Sequence, residues 1–387
     1  MSQLLPEYCP PWETAAHREL RKYATEFFHK HLKPHQERWM RQRVVDRSFW
    51  TTVGEAGLLG LELPEEHGGV GGDFGMQAVV QEELIYAHDS SFGFLVHSPI
   101  AAHYISSYAS EQNKKKWLPD IISGKKVLAI AMTEPETGSD LQAIRTTAIR
   151  YGDHYVVDGS KTFISNGTHC DLLLIVAKTG SNGSESGISL LVAEVSDSTP
   201  GFRRGRLLEK MGQPGQDTRE LFFAGMQVPA DNLLGDREGA GFYQLALQLP
   251  RERLIIASLC SALAEAATLE ALRYSRQRKA FGRNLFDFQN TQFVLAECKT
   301  EAFAIKSMVD YAIQQYIDGS HDIASASMAK LFAAETCDKI VDKCLQIFGG
   351  YGYMAEYPIC QMYTGSRVNR IYGGTSEIMK AIISHTM

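Results

Sequence analysis

The feature that most restricts how this chain can fold is a double change in hydrophobic texture along it. From Glu13 to about His35, apolar residues recur three and four apart (Leu20, Tyr23, Ala24, Phe27, Phe28), and Phe49, Trp50, Val53, Ala56 and Leu58 continue the habit. That spacing stacks them on one helix face. Around Val127 it gives way to short runs, "VLAIAM", "HYVVDG", "LLLIVAK", "ISLLVAEV" and "ELFFAG", bounded by Gly, Ser, Asp and Pro, which read as strands. "TGSNGSESG" at 179–187 reads as a hairpin loop between two of them. After about Gly239 helical spacing returns in long segments, the first marked by Leu254, Ile255, Leu259, Leu263 and Ala267. Strands do not alternate with helices, which argues against a parallel sheet with crossovers. The expected class is α+β and multidomain: an N-terminal all-α domain over 1–127, a central antiparallel β domain over 128–238, and a C-terminal four-helix-bundle-like α domain over 239–387.

A chain of 387 residues exceeds a single core, in keeping with several domains. The net charge of −6 gives no global field for nucleic acid or an acidic membrane, and the lysine runs at 114–116 and 125–126 read as solvated faces. Seven scattered cysteines without a C-x-x-C pair argue against a disulfide framework and against zinc. His29, His31 and His35 lack the carboxylate or cysteine partners of a metal site, so no metal is expected. No apolar run approaches bilayer-spanning length, and the N-terminus shows neither a signal core nor an arginine-rich leader. The expectation is a soluble protein of a reducing compartment: the bacterial cytoplasm or, with a leader removed, the mitochondrial matrix.

Six local patterns could carry chemistry, and most have a plain structural reading as well. Gly68–Gly75 fails the G-x-G-x-x-G spacing and reads as a connector. "MTEPETGSD" (132–140) follows a strand and clusters backbone N–H donors suited to an anion or a flavin edge, or is simply a turn. "KTFISNG" (161–167) sets an aromatic and a hydroxyl before an Asn-Gly turn, as any hairpin does. "RQRKAFGR" (276–283) groups four cations at a helical corner that suits a pyrophosphate or a solvated helix end. "QIFGGYGY" (346–353) brings bare backbone toward something flat, or caps a helix with glycine. "RIYGGTSEIMK" (370–380) has two glycines before a helix start and nothing at its tip that moves a proton.

In order and spacing these motifs together resemble the acyl-CoA dehydrogenase family over nearly the whole chain. The resemblance implies FAD bound non-covalently between the β domain and the bundle, and α,β-dehydrogenation of an acyl-CoA to the trans-2-enoyl-CoA. It would place Ile130, Met132, Thr133, Gly138 and Ser139 along flavin and substrate, with Phe163 and Ser165 flanking the isoalloxazine. Arg278, Phe281 and Gln289 would hold the pyrophosphate and adenine across a subunit interface, and Gln346, Gly349 and Gly350 would make a second pyrophosphate-side contact. Thr375 and Glu377 match cofactor-contacting positions. A homotetramer built as a dimer of dimers follows from the same resemblance, with an electron-transferring flavoprotein as acceptor.

The position of the base in many family members matches Gly373, which has no carboxylate. The long-chain and isovaleryl branches place their base on an earlier helix, and "LQLPRERLIIASL" resembles the long-chain branch. Glu252, one residue into the helical pattern after Pro250, then matches the base; the plain alternative is an acid favoured by a helix N-terminus. Arg253 matches a substrate-side arginine and Tyr372 an aromatic beside the thioester. The Gly373 backbone N–H, with the flavin's ribityl 2′-hydroxyl, would hold the thioester oxygen. The expectation is a medium- to long-chain acyl-CoA dehydrogenase of fatty-acid β-oxidation. A short branched substrate and an oxidase using O₂ stay open, while the net charge disfavours a DNA-binding flavin relative.

Overall fold

The structure, a computed structural model, describes residues 4–180, 187–320 and 322–387. The N-terminal helical spacing folds into α1 (Ala15–His31), α2 (Gln36–Gln42), α3 (Arg47–Glu55), α4 (Phe74–Tyr86), α5 (Ala102–Tyr108) and α6 (Glu111–Ile122). The apolar stripes meet as expected: Ala24, Phe27 and Phe28 pack with Phe49, Trp50, Val53 and Leu58 in one buried cluster. Burying each such large side chain contributes about 1.5–3 kcal/mol. The glycine-rich stretch is a connector, with Asp73 capping α4 by accepting the Met76 N–H at 3.1 Å. Before α5 the chain makes a π-helical turn, Val96–Ala101, that contains Pro99.

The middle of the chain forms one sheet from β1 (Val127–Ala131), β2 (Thr147–Tyr151), β3 (His154–Ser165), β4 (Cys170–Thr179), β5 (Gly187–Glu194), β6 (Phe202–Leu207) and β7 (Thr218–Pro229), in the order β1-β4-β2-β3-β7-β6 with β5 also on β4. The β2/β3, β3/β7, β4/β5 and β6/β7 pairs are antiparallel, as expected. Two pairs are not: β1 and β2 both run parallel to β4. Neither reaches β4 through a tight turn, so the connection leaves the direction free. Thr179 stands opposite Gly187 across the expected hairpin, whose loop at 181–186 lies outside the described residues. The unbroken apolar run of β4 is buried on both sides. Leu172, Leu174 and Val176 face the helical core, while Leu173, Ile175 and Ala177 face a separate sheet core.

The C-terminal part contains α7 (Gly241–Gln277), α8 (Gln289–Ile317), α9 (Ile323–Phe348), α10 (Pro358–Ser366) and α11 (Ser376–Ser384). A short ribbon of β8 (Lys279–Ala280) and β9 (Arg283–Asn284) separates α7 from α8. Two expectations change here. The helix does not begin at Pro250, which lies inside the 37-residue α7; Glu252 is therefore well beyond the first turn, and favourable interaction with a helix N-terminus does not account for it. In addition, α7 is long and apolar enough to span a bilayer, with an 18-residue window of mean hydropathy 1.6. Its alanines, serines and Glu265 break the run to the eye, and 89% of that window is buried inside the protein. This is the core helix of the bundle.

Candidate active site

Three buried charged residues in a row, Arg251, Glu252 and Arg253, open the apolar part of α7. Burying charges is costly unless each is partnered. Arg251 is clamped, donating to the Pro99 carbonyl of the π-turn and pairing with Glu62. Arg253 donates to Ser327 Oγ at 3.4 Å, and its Nε is buried without a hydrogen-bond partner among the described residues. Glu252 is 7% exposed and accepts one short hydrogen bond, 2.6 Å, from the hydroxyl of the fully buried Tyr104. Burial pushes the Glu252 carboxyl above its ordinary range, outweighing the opposite pull of Tyr104, Arg253 and Arg251.

The final glycine loop lies one turn further along the same helix. Gly373 and Gly374 have φ of 62° and 92°, the left-handed region that a side chain rarely adopts. A Cβ on Gly373 would stand 2.3 Å from Ile256 Cδ1. Ile256 and Glu252 are four residues apart on α7 and so share a face. The loop is anchored from α9, where the fully buried Lys330 donates to the Gly374 carbonyl at 2.7 Å. Burial lowers the Lys330 ammonium to about 8, with Arg253 adding to the effect. Tyr372 is tied back by donating to Asn369 Oδ1 at 2.6 Å. The Thr375 hydroxyl caps α11 by accepting the Ile378 N–H, and Glu377 lies in the exposed first turn. Neither Lys330 nor Tyr104 was read from the sequence; the only available signal was a lysine inside the apolar pattern of α9.

The 132–140 and 161–167 motifs are joined to each other. Lys161, fully buried, donates to the Met132 carbonyl at 2.9 Å and pairs with Glu134 at 2.8 Å. Glu134 also accepts the N–H groups of Arg145 (2.6 Å) and Thr146 (3.0 Å), and Thr162 N–H bonds the Thr133 carbonyl at 2.9 Å. The β3/β7 register shifts between Lys161 and Ile164, and on this bulge Phe163 takes φ of 60° and is 67% exposed. An aromatic side chain held toward solvent by strained backbone is a recurrent mark of a binding site. Ser165 pairs opposite Thr218. Ile130 and Met132 pack against the large helical core that also includes Ile256 and Tyr372. Ser139 is exposed, and a Cβ on Gly138 would meet nothing within 4 Å.

The remaining motif residues lie elsewhere in the chain. Arg278 ends α7, about 40 Å along the helix from Glu252 at 1.5 Å per residue. There it stands 5.7 Å from the Tyr351 ring, which brings the 276–283 and 346–353 motifs together. Phe281, at φ of 52° and 95% exposed, projects from the ribbon turn. Gln289 opens α8, Gln346 lies in the last turn of α9, and Gly349 and Gly350 have open space where a Cβ would be. His31 stacks on Phe27 and His35 lies against Trp39, so those histidines pack rather than converge. Among the described residues Glu66, His67 and Glu111 do converge, their potential ligand atoms within 4.8 Å.

The residues fit a large flat cofactor: Gly138, Gly349 and Gly350 leave backbone bare with open space beside it, and Phe163 and Phe281 present exposed aromatic faces. Three family models match the chain in order: "Acyl-CoA dehydrogenase, N-terminal domain" over 14–125, the middle domain over 129–226 and the C-terminal domain over 239–387. The chain is 42% identical over 373 residues to the mitochondrial long-chain specific acyl-CoA dehydrogenase of Mus musculus, covering 96% of this chain and 86% of that protein. It superposes on an acyl-CoA dehydrogenase from Geobacillus kaustophilus with a TM-score of 0.94 and 42% identity, over 98% and 99% of the two chains. An acyl-CoA dehydrogenase complexed with FAD from Bacillus anthracis matches at 29% identity and a TM-score of 0.91, over all of this chain and 69% of the other. The chain belongs to the acyl-CoA dehydrogenase family, oxidoreductases that use FAD and act on acyl-CoA.

Proposed function

We propose that this protein dehydrogenates medium- to long-chain acyl-CoA thioesters to trans-2-enoyl-CoA in fatty-acid β-oxidation, with Glu252 as the base. The observation that carries the reading is the meeting of a buried carboxylate on α7 with a glycine loop that closes against the next turn of the same helix. FAD, when bound, supplies the acceptor for the β hydrogen, which leaves as hydride. Glu252 takes the α proton, and its burial strengthens it as a base by disfavouring its charged form. The Gly373 N–H holds the thioester oxygen, where negative charge grows as the proton leaves. Lys330 and Ile256 fix that loop from α9 and α7. Arg253 pulls the Glu252 carboxyl back toward its charged form, and in this reading it also contacts the substrate. Tyr372 lines the thioester.

Met132, Thr133, Ser139, Phe163 and Ser165 hold the flavin in this reading. The distance along α7 between Glu252 and Arg278 favours a second copy supplying Arg278, Phe281, Gln289, Gln346, Gly349 and Gly350 to that cofactor, in a homotetramer. The electron acceptor is an electron-transferring flavoprotein, in the bacterial cytoplasm or the mitochondrial matrix. Likeness to a long-chain specific relative supports the chain length. The test is anaerobic bleaching of the bound flavin by acyl-CoAs of four to eighteen carbons, straight and branched. Fastest bleaching by long straight chains is expected; a maximum with short branched thioesters would overturn the chain-length reading.

A further inference from the structure

Helix α5 packs its tyrosines along one face of α7. Tyr104 and Tyr108 are a turn apart on α5, and they meet Gln244, Gln248 and Glu252, which are successive turns of α7. The Tyr108 hydroxyl donates to the Gln244 carbonyl at 3.5 Å and accepts from Gln248 Nε2 at 3.3 Å. The Tyr104 hydroxyl donates to Glu252 Oε1 at 2.6 Å. That length is typical of an O–H donor on an ionised carboxylate. Among the described residues Glu252 Oε2 accepts no hydrogen bond, so the two oxygens of the base are not equivalent.

The placement of Tyr104 is over-determined. The π-turn before α5 is held to α7 by the Arg251 guanidinium on the Pro99 carbonyl. It is held to β1 by His97, whose Nδ1 accepts the Leu128 N–H at 3.0 Å while Nε2 faces the Ile121 carbonyl at 3.0 Å. That pair of contacts requires neutral His97 with its proton on Nε2, in keeping with a pKa lowered by burial to about 4. π-Turns recur at functional sites, where they re-aim the residues that follow them. Here the residue re-aimed is Tyr104, and its hydroxyl has no other partner among the described residues.

We propose that Tyr104 is a positioning residue for the base: it holds Oε1 of Glu252 so that Oε2 is presented for the α proton, and its hydrogen bond favours the ionised carboxylate. This rests on the reading of Glu252 as base. The charged and titratable groups facing Glu252 are Arg251 and Arg253 from its own helix and Tyr104 from α5, with Tyr108 a turn away. Behind it Glu62 pairs with Arg251 and with His103, and Arg253 in turn lowers the Lys330 ammonium of α9. Among the described residues Tyr104 is the one hydrogen-bond donor to the carboxylate, and it is neutral. Its removal changes the hydrogen bond without changing the charge of the site.

The experiment is the rate of flavin reduction by a saturating acyl-CoA, measured anaerobically against pH on the FAD-loaded enzyme, for wild type, Tyr104→Phe and Glu252→Gln. Tyr104→Phe is expected to move the acid limb upward by about one pH unit, which is about a tenfold loss of rate on that limb. The alkaline plateau is expected to fall much less. Placing 3,5-difluorotyrosine at position 104 keeps the shape and makes a stronger donor, so the limb is expected to move down instead. That variant decides the matter if the phenylalanine protein does not fold. Limbs that coincide with wild type, with Glu252→Gln inactive, would reduce Tyr104 to a packing role. Wild-type reduction by Glu252→Gln would overturn the assignment of the base itself.

Discussion

Gly373 faces Ile256 so closely that a Cβ on the glycine would stand 2.3 Å from Ile256 Cδ1, one helical turn beyond Glu252. The space beside this glycine is thus taken up by the helix that carries Glu252. Gly373→Ala is expected to lower stability by about 1–2 kcal/mol through its φ of 62°. It is also expected to slow flavin reduction by shifting the loop N–H. Because Cδ1 is the far end of a flexible side chain, adding Ile256→Ala should restore part of the rate but not the strain. Thermal melts and stopped-flow reduction of the single and double variants check this; full recovery of both properties would contradict it.

Burial raises the Glu252 pKa above its unfolded value, and the sign of the consequence is definite. Its contribution to stability is fully present below the ordinary carboxylate range and is lost as pH rises through the raised folded value. Glu252→Gln is therefore expected to melt above wild type at pH 8 and to lose that advantage toward pH 4. Melting curves across that range test it, and a variant uniformly less stable would count against a costly buried base.

Lys330 is a buried amine whose contact in the site is the Gly374 carbonyl. Lys330→Met removes that anchor, and displacement of the loop by about 1 Å is expected to cost on the order of 100-fold in reduction rate. The folded pKa is depressed to about 8, so the amine's stabilising contribution is present above the ordinary lysine range and lost as pH falls through 8. Below pH 8 the variant should therefore gain in melting temperature on wild type while it loses rate. Parallel measurement of both separates loop positioning from general damage.

Lys161 and Glu134 pin the 132–140 loop to the strand that carries Phe163. Lys161→Met leaves Glu134 buried without its cation, a change that costs about 3–5 kcal/mol when a buried pair is broken. The two backbone donors to Glu134 place the expected loss at the lower end. Urea unfolding of the holoenzyme, with flavin retained on gel filtration as a second readout, is expected to show lower stability and loss of FAD together.

What was legible in the sequence follows from how local its causes are. Strand β4 could be read because burial on both faces requires apolar residues at every position, and α1 because its stripe repeats at helical spacing. The parallel pairing of β1 and β2 with β4 left no such trace, since direction is set by loops and not by the strands. Pro250 read as a helix start because proline favours that position; only the tertiary packing of α7 shows the helix running through it. Glu252 was singled out in the sequence because Gly373 lacks a carboxylate and "LQLPRERLIIASL" resembles the long-chain branch, and its burial on α7 is what the structure adds. Tyr104 was not, because the contact spans 148 residues and a tyrosine in an apolar helix reads as core.

In the proposed mechanism Glu252 removes the α proton while the glycine loop holds the thioester oxygen. The most direct measurement is anaerobic mixing of FAD-loaded Glu252→Gln with a long-chain acyl-CoA, following flavin absorbance. The expected result is a protein that stays folded and yellow, binds the thioester, and shows flavin reduction slowed by at least about 1000-fold, since neutral glutamine cannot accept the proton. Bleaching at the wild-type rate would show that Glu252 is not the base.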